Sequence, residues 1–208
     1  MNPAFTERGG RSEPIVNSTY HVRQREPLMP AKVVLKMHQT LDGFVCTTSG
    51  DEAWASARMD EAVFKWETEH LWLAGVHIMG RKLYQIMESY WPSSKESPAA
   101  PMNEIPKVVF SKTIKTATWG PVRIVDTDLS GEINRLRHST DKEILAHGGA
   151  SFAQSLARLN LIDEYRLLVH PVTLGGGLPC IAVPLTLRLL THDEFPSGVI
   201  ALTYARTS

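Results

Sequence analysis

Ile144-Leu-Ala-His-Gly-Gly-Ala-Ser-Phe-Ala-Gln-Ser-Leu-Ala-Arg-Leu159 carries a short apolar strand through two glycines straight into an amphipathic helix. Glycine permits positive φ and close backbone approach, and the first turn of a helix leaves N–H groups unpaired with about half a positive charge. A strand, a Gly-Gly turn and a helix start therefore make an anion site, and phosphate is the common occupant. Ser151 followed by Gln154 has capping-box spacing, and Phe152, Leu156 and Leu159 recur on one helical face, so the helix is expected to begin close to Gly149. A plain tight turn would also contain two glycines, so the rest of the chain has to decide.

Working outward from this unit, Lys32 to His38 reads as a buried strand, followed by a loop from Gln39 to Trp54. Met59, Ala62, Val63, Trp66, His70 and Leu73 recur at helical spacing, with Asp60 and Glu61 at the helix start. His77 to Gly80 reads as a strand and Arg81 to Met87 as the opening of a helix; Trp91 to Pro106 is a Pro/Ser-rich loop. Strands follow at Lys107 to Ser111 and Val122 to Val125, then a helix at Leu129 to His138. After the Gly-Gly unit come a strand at Tyr165 to His170, a bend at Gly175 to Gly177, and two strands near Leu185 to His192 and Gly198 to Arg206. Pro184 places the start of the penultimate strand after it. Alternating strands and helices predict an α/β three-layer sandwich with a central, mostly parallel sheet flanked by helices, and the late strands predict an antiparallel C-terminal edge. Ligands in such folds sit at the carboxyl ends of the strands.

The chain has 208 residues, 43% hydrophobic and 21% charged, with a formal net charge of zero. That length and composition suit one core, and they predict a flexible tail over residues 1–30 and one domain over 31–208. No basic patch interleaved with aromatics points to nucleic acid, and no run of apolar residues is long enough for a membrane span. With only Cys46 and Cys180 and no leader pattern, a cytoplasmic protein without a disulfide framework is expected. The eight histidines show no metal-binding spacing, so no metal is expected, and His38, His77, His147 and His170 read as packed or hydrogen-bonded strand residues.

Three strand-end segments line up as anion contacts: Gly80-Arg81-Lys82, Ser111-Lys112-Thr113 and Gly148-Gly149-Ala150-Ser151. A dinucleotide with an extra 2′-phosphate needs donors at such separated points. The Rossmann fingerprint, the P-loop and the nucleophile elbow are absent.

In order along the chain, Gln39-Thr-Leu-Asp-Gly-Phe44, Ile78-Met-Gly-Arg-Lys-Leu-Tyr84 with Trp91, Ile105 to Lys112, His147 to Phe152, Leu161-Ile-Asp-Glu164 and Pro171 to Gly177 resemble the dihydrofolate reductase superfamily. The likeness is greatest to the branch shared with the reductase domain of bacterial riboflavin biosynthesis, and it spans about residues 32–206. It implies NADPH lying across the strand ends and a hydride passed to a small heterocycle, a pterin, pyrimidine or related compound. On that likeness Gly80, Arg81, Lys82 and Gly148 to Phe152 contact the cofactor phosphates, and Ser111 and Lys112 contact the 2′-phosphate. Thr40, Asp42 and Gly43 belong to the loop that closes beside the nicotinamide. Leu83 stands where the family often has Thr.

Folate reductases carry a carboxylate on the first helix, for which Asp60 is the nearest candidate; its other role is a helix-start charge. Trp54, Phe64 and Trp91 are candidates to stack on a planar substrate, or core residues. The deaminase signature often fused to this domain is missing, so a stand-alone reductase is expected. Its alternatives are the 5-amino-6-(5-phosphoribosylamino)uracil reductase step and a non-catalytic nucleotide-binding module. A homodimer is a further expectation, from the likeness and from the alternating Leu185, Leu187 and Leu189, whose buried face either a second copy or the chain's own core could cover.

Overall fold

A computed structural model describes residues 30–207. The expectation for the N-terminal tail lies outside the described residues, apart from the exposed Pro30. The strands are β1 (Val33–Thr40), β2 (Phe44–Cys46), β3 (Ala74–Gly80), β4 (Lys107–Phe110), β5 (Val122–Val125), β6 (Glu143–His147), β7 (Glu164–His170), β8 (Leu178–Pro179), β9 (Leu187–Glu194) and β10 (Ile200–Arg206). The helices are α1 (Ala53–Ser56), α2 (Glu61–Leu71), α3 (Arg81–Tyr90), α4 (Ala99–Glu104), α5 (Leu129–Arg137) and α6 (Ala150–Arg158).

Eight strands form one sheet in the order β5-β4-β3-β6-β1-β7-β10-β9. β5 through β7 run parallel, while β10 lies antiparallel to β7 and β9 antiparallel to β10. This is the predicted mostly parallel sheet with an antiparallel edge. Helices α5 and α6 cover one face, where Val33, Leu35 and Met37 of β1 join Ile133, Leu136, Ala153 and Leu156 in the larger core. On the opposite face two apolar clusters form apart from each other. Val34, Met79, Tyr84, Met102, Val109 and Leu145 make one, and Val63, Trp66, Leu168, Val199 and Ala201 make the other. β1 residues alternate in side (period 2), so Lys36, His38 and Thr40 point between these clusters. A buried polar seam therefore runs under α2.

Several elements depart from the sequence reading. The loop after β1 contains β2 and α1, and the Pro/Ser-rich segment contains a 3₁₀ turn at Trp91–Ser93 and then α4. α2 begins after Asp60, which excludes Met59 from it, and Leu73 lies beyond its end and is exposed. α6 is capped by Gly149 rather than Ser151, so Ser151 lies within the first turn and cannot cap it. Gln154 instead donates from Nε2 to the Pro179 carbonyl at 2.9 Å. Leu185 falls outside β9; Leu185 and Leu187 are partly buried against the chain's own larger core, while Leu189 is 47% exposed, so the alternation marks a face that the chain itself covers at only two of its three positions.

Candidate functional site

The Gly-Gly turn sits at the carboxyl end of the sheet, pressed against β1. A Cβ on Gly148 would lie 2.1 Å from the Met37 sulfur. Gly149 has φ +91°, a left-handed conformation that glycine adopts without penalty. Its missing Cβ would stand 3.7 Å from Leu83 Cβ, and that of Gly80 would stand 3.3 Å from Phe152 Cβ. The starts of α3 and α6 thus abut, capped by Gly80 and Gly149, and their first-turn amides gather at one end of the sheet. Phe152 also packs on Phe110, with ring centroids 5.3 Å apart, and Phe110 leads into Ser111 and Lys112. The three segments picked from sequence are neighbours. Backbone approach without Cβ atoms, two helix starts and nearby cations fit a pyrophosphate.

The cations themselves are at the surface. Arg81 Nη1 donates to Gln85 Oε1 at 3.1 Å along its own helix, while Lys82 and Lys112 are exposed. Ser111 Oγ accepts from the N–H groups of Thr113 and Ile114 at 3.1 Å each, which folds the turn that displays Lys112.

Thr40, Asp42 and Gly43 brace a loop. Thr40 Oγ1 accepts from Phe44 N–H at 3.0 Å and donates to Asp42, whose carboxylate accepts from Leu174 N–H at 3.0 Å and Gly175 N–H at 2.8 Å. The Thr40 hydroxyl, followed by these amides, lowers the Asp42 pKa. The β1–β2 loop is thereby clamped to the glycine-rich bend. A Cβ on Gly177 would lie 2.2 Å from the Cys46 carbonyl, so β8 closes directly on β2.

The polar seam ends near the same end of the sheet, at His170. Glu67 of α2 is 4% exposed and pairs with both Lys36 and His38 of β1. His38 Nε2 lies 3.0 Å from Glu67 Oε1, and His38 Nδ1 lies 2.9 Å from Nε2 of His170, the last residue of β7. Burial would raise the Glu67 pKa, but Lys36 and His38 outweigh it and hold the carboxyl well below the usual range. His170 is fully buried, and burial followed by the field of His38 pushes its pKa down to about 4. Trp54 of α1 stands edge-on to the His170 ring at 5.1 Å. Neither His170 Nδ1 nor Trp54 Nε1 has a partner among the described residues.

The remaining sequence candidates fall elsewhere. Asp60 caps α2: one oxygen accepts from Val63 N–H at 2.8 Å and the other from Ser197 N–H at 2.9 Å. Both oxygens are engaged by the backbone, which corrects the reading of Asp60 as a catalytic acid in favour of its helix-start role. Phe64 lies on α2, partly buried, one turn beyond that cap. Trp91 follows α3, and its carbonyl accepts from Asn103, whose own carbonyl accepts from Lys107 at the amino end of β4. That position is at the amino ends of the parallel strands, away from the Gly-Gly turn. Lys36, His38, Glu67 and His170 were not selected from sequence. The available signal was Glu67: a carboxylate four residues after Val63, on the apolar stripe of α2, has to find buried partners.

A family model described as the RibD C-terminal domain matches residues 31–201. Uncharacterized protein YyaP of Bacillus subtilis (strain 168) is 29% identical over 185 residues, 85% of this chain and 96% of that protein. A Shewanella sp. PV-4 protein provisionally assigned to riboflavin biosynthesis superposes with a TM-score of 0.66 at 21% identity, over 85% of this chain and 99% of the other. The Thermotoga maritima diaminohydroxyphosphoribosylaminopyrimidine deaminase/5-amino-6-(5-phosphoribosylamino)uracil reductase gives 0.62 at 17% identity, over 86% of this chain and 57% of that one. At these identities the structural likeness is one of fold.

Proposed function

The chain belongs to the RibD C-terminal domain family, and from that premise we propose that it is an NADPH-dependent reductase acting on a small heterocyclic compound, with a pyrimidine as the favoured class. The observation that carries this reading is the joined start of α3 and α6, with Lys112 displayed just beyond Phe110. When bound there, NADPH would supply a hydride. The chain's own residues would do the rest. Amides at Gly80–Arg81 and Gly149–Ser151 hold the pyrophosphate, and Ser111 and Lys112 favour the 2′-phosphorylated cofactor. The braced β1–β2 loop limits water at the reacting end, and Trp54 offers a flat apolar face beside His170. The pyrimidine preference comes from the reductase half of the Thermotoga relative's name.

Titration of the protein with NADPH and NADH in parallel, by tryptophan quenching and melting temperature, tests the cofactor assignment. Micromolar NADPH affinity with weaker NADH affinity is expected. Lys112→Ala should weaken NADPH by about 2- to 10-fold, the low end reflecting its exposure, with little effect on NADH. Tight cofactor binding without oxidation across a panel of pyrimidines and pterins would assign a binding module instead.

A further inference from the structure

β9 closes the sheet at one edge, and among the described residues its only strand neighbour is β10. A free edge of eight residues leaves a row of N–H and C=O groups open to pairing. Leu189 and Leu190 are 47% and 40% exposed on it, two large apolar side chains that the chain itself does not cover. We propose that β9 is the contact surface for a second copy of this chain. The two copies join edge to edge and antiparallel, across a two-fold axis between Leu190 and Thr191. This surface lies outside the reductase reading and does not depend on it.

Two independent features select that register. The first is backbone direction. Phe195 N–H donates to the Val199 carbonyl and Thr207 N–H donates to the Thr186 carbonyl, so residues 186 and 195 point their backbone groups at β10. Direction alternates along a strand, and Leu190 is an extra residue, since Thr191 faces Thr203 while Leu189 faces Tyr204. The groups that point away from β10 are therefore those of Leu187, Leu189, His192 and Glu194, which are symmetric about the midpoint of Leu190 and Thr191. With the axis there, Leu187 meets the partner's Glu194 and Leu189 meets the partner's His192, each as a hydrogen-bonded pair, for about eight bonds across the axis. Every other register leaves some of these four residues unmatched.

The second feature is charge. The same axis sets the exposed Arg188 opposite the partner's Asp193, and the exposed Asp193 opposite the partner's Arg188. Asp193 accepts from Trp66 Nε1 through Oδ2 at 3.0 Å, which leaves Oδ1 for the guanidinium. Facing residues of paired strands share one side of the sheet, so both Arg–Asp pairs lie on the side of α2. At the axis Leu190 packs beside the partner's Leu190. Bulges and charges ordinarily guard an edge against pairing. Here the bulge makes the outward groups symmetric, and the charges are opposite in sign in the one register that uses all of those groups.

Sedimentation velocity of the full chain at micromolar concentration should give a dimer; a monomer overturns the proposal. Arg188→Glu sets two carboxylates face to face at each pair, and Asp193→Lys sets two cations face to face. Each should raise the dimer Kd about 10-fold or more. Mixing the two variants restores opposite charges at both pairs, so a heterodimer should form where neither variant associates with itself. A mixture of the folded variants that stays monomeric overturns the register. Because Asp193→Lys also removes the Trp66 contact, amide exchange gives a reading from the wild type and Arg188→Glu alone. The amides of Leu189, His192 and Glu194 should be protected in the wild type, and should exchange about 10-fold or more faster in Arg188→Glu, while Thr191 and Asp193, bonded to β10, stay protected in both. Fast exchange of the outward amides in the wild-type dimer, or a dimer that Arg188→Glu leaves equally tight, places the contact elsewhere and overturns this surface.

Discussion

At the residue scale the tightest constraint at the Gly-Gly turn is the contact between Gly148 and Met37. Met37 is 5% exposed, and a methyl group on residue 148 would stand 2.1 Å from its Sδ and 2.8 Å from its Cε. Gly148→Ala must therefore turn Met37 into a filled core or lift the Gly-Gly turn off β1, at about 1–3 kcal/mol of stability. We expect a lower melting temperature together with weaker binding of both NADPH and NADH, because the pyrophosphate end is common to them. Combining Gly148→Ala with Met37→Ala should cost less than the sum of the two single changes, since the second removes the obstruction created by the first. Additive losses measured by denaturant unfolding would show that Met37 is not the reason for glycine. The sequence displayed Gly148 as one of two glycines at a strand-to-helix junction, which a plain tight turn would explain as well, but Met37 as the cause could not be seen. The buried polar seam was hidden in the same way. Lys36, His38 and His170 are ordinary polar residues in their strands. Only the register that sets His170 opposite Thr40, and the approach of α2, brings them to Glu67.

At the scale of elements, the central strands were readable because each is a short apolar run flanked by turn residues, as expected for strands covered on both faces. The elements that escaped are β2, α1 and α4. β2 pairs only with the two-residue β8, and α1 and α4 span four and six residues, too few to display a period. Their order comes from tertiary contact: Ala99, Pro101 and Met102 of α4 are buried, and β2 is fixed by the Asp42 clamp and the close approach of Gly177. The start of α2 is a different case, where the sequence offered Asp60 two roles and the structure assigns one. Because its carboxylate joins the α2 start to the β9–β10 turn through Val63 and Ser197, Asp60→Ala should lower the melting temperature. Asp60→Asn, which retains a capping oxygen, should lose much less. Neither change should move the pH dependence of turnover. A shifted pH profile in Asp60→Asn would return this carboxylate to the chemistry.

At the scale of the whole molecule, the two faces of the sheet differ in kind, and the difference sets how the fold responds to acid. The α5–α6 face is largely apolar, with Glu132 of α5 as a buried carboxylate, whereas the α2–α3 face places His77, His147, Lys107 and the Lys36–Glu67 pair within the protein. His77 and His147 meet edge to face at 4.6 Å, and both His77 nitrogens and His147 Nε2 lack partners among the described residues. Burial, then Lys107 and Lys36, push the His77 pKa down to about 3; burial, then His77, Lys36 and Lys107, push that of His147 well below its ordinary value. A base whose folded pKa is depressed takes its proton more readily in the unfolded chain. Its contribution to stability is thus intact above the unfolded value near 6.5 and declines as pH falls below it, by about 1.4 kcal/mol per pH unit for each such histidine. Carboxylates respond over a lower range. Glu132, held at a pKa of about 2 by Arg135 and Arg123, and Glu67 contribute fully above their unfolded pKa near 4.5 and lose that contribution as pH falls through the folded value. Unfolding free energy should therefore begin to fall near pH 6.5 and fall more steeply below about 4.5. Denaturant unfolding of the wild type and His77→Phe at several pH values from about 7 to 5 isolates the first range. Whatever its effect on absolute stability, the substitution should reduce the slope by about 1.4 kcal/mol per pH unit, because one proton fewer is taken up on unfolding. Equal slopes in the two proteins would mean that His77 is protonated inside the fold, and the α2–α3 face would then carry one more buried positive charge.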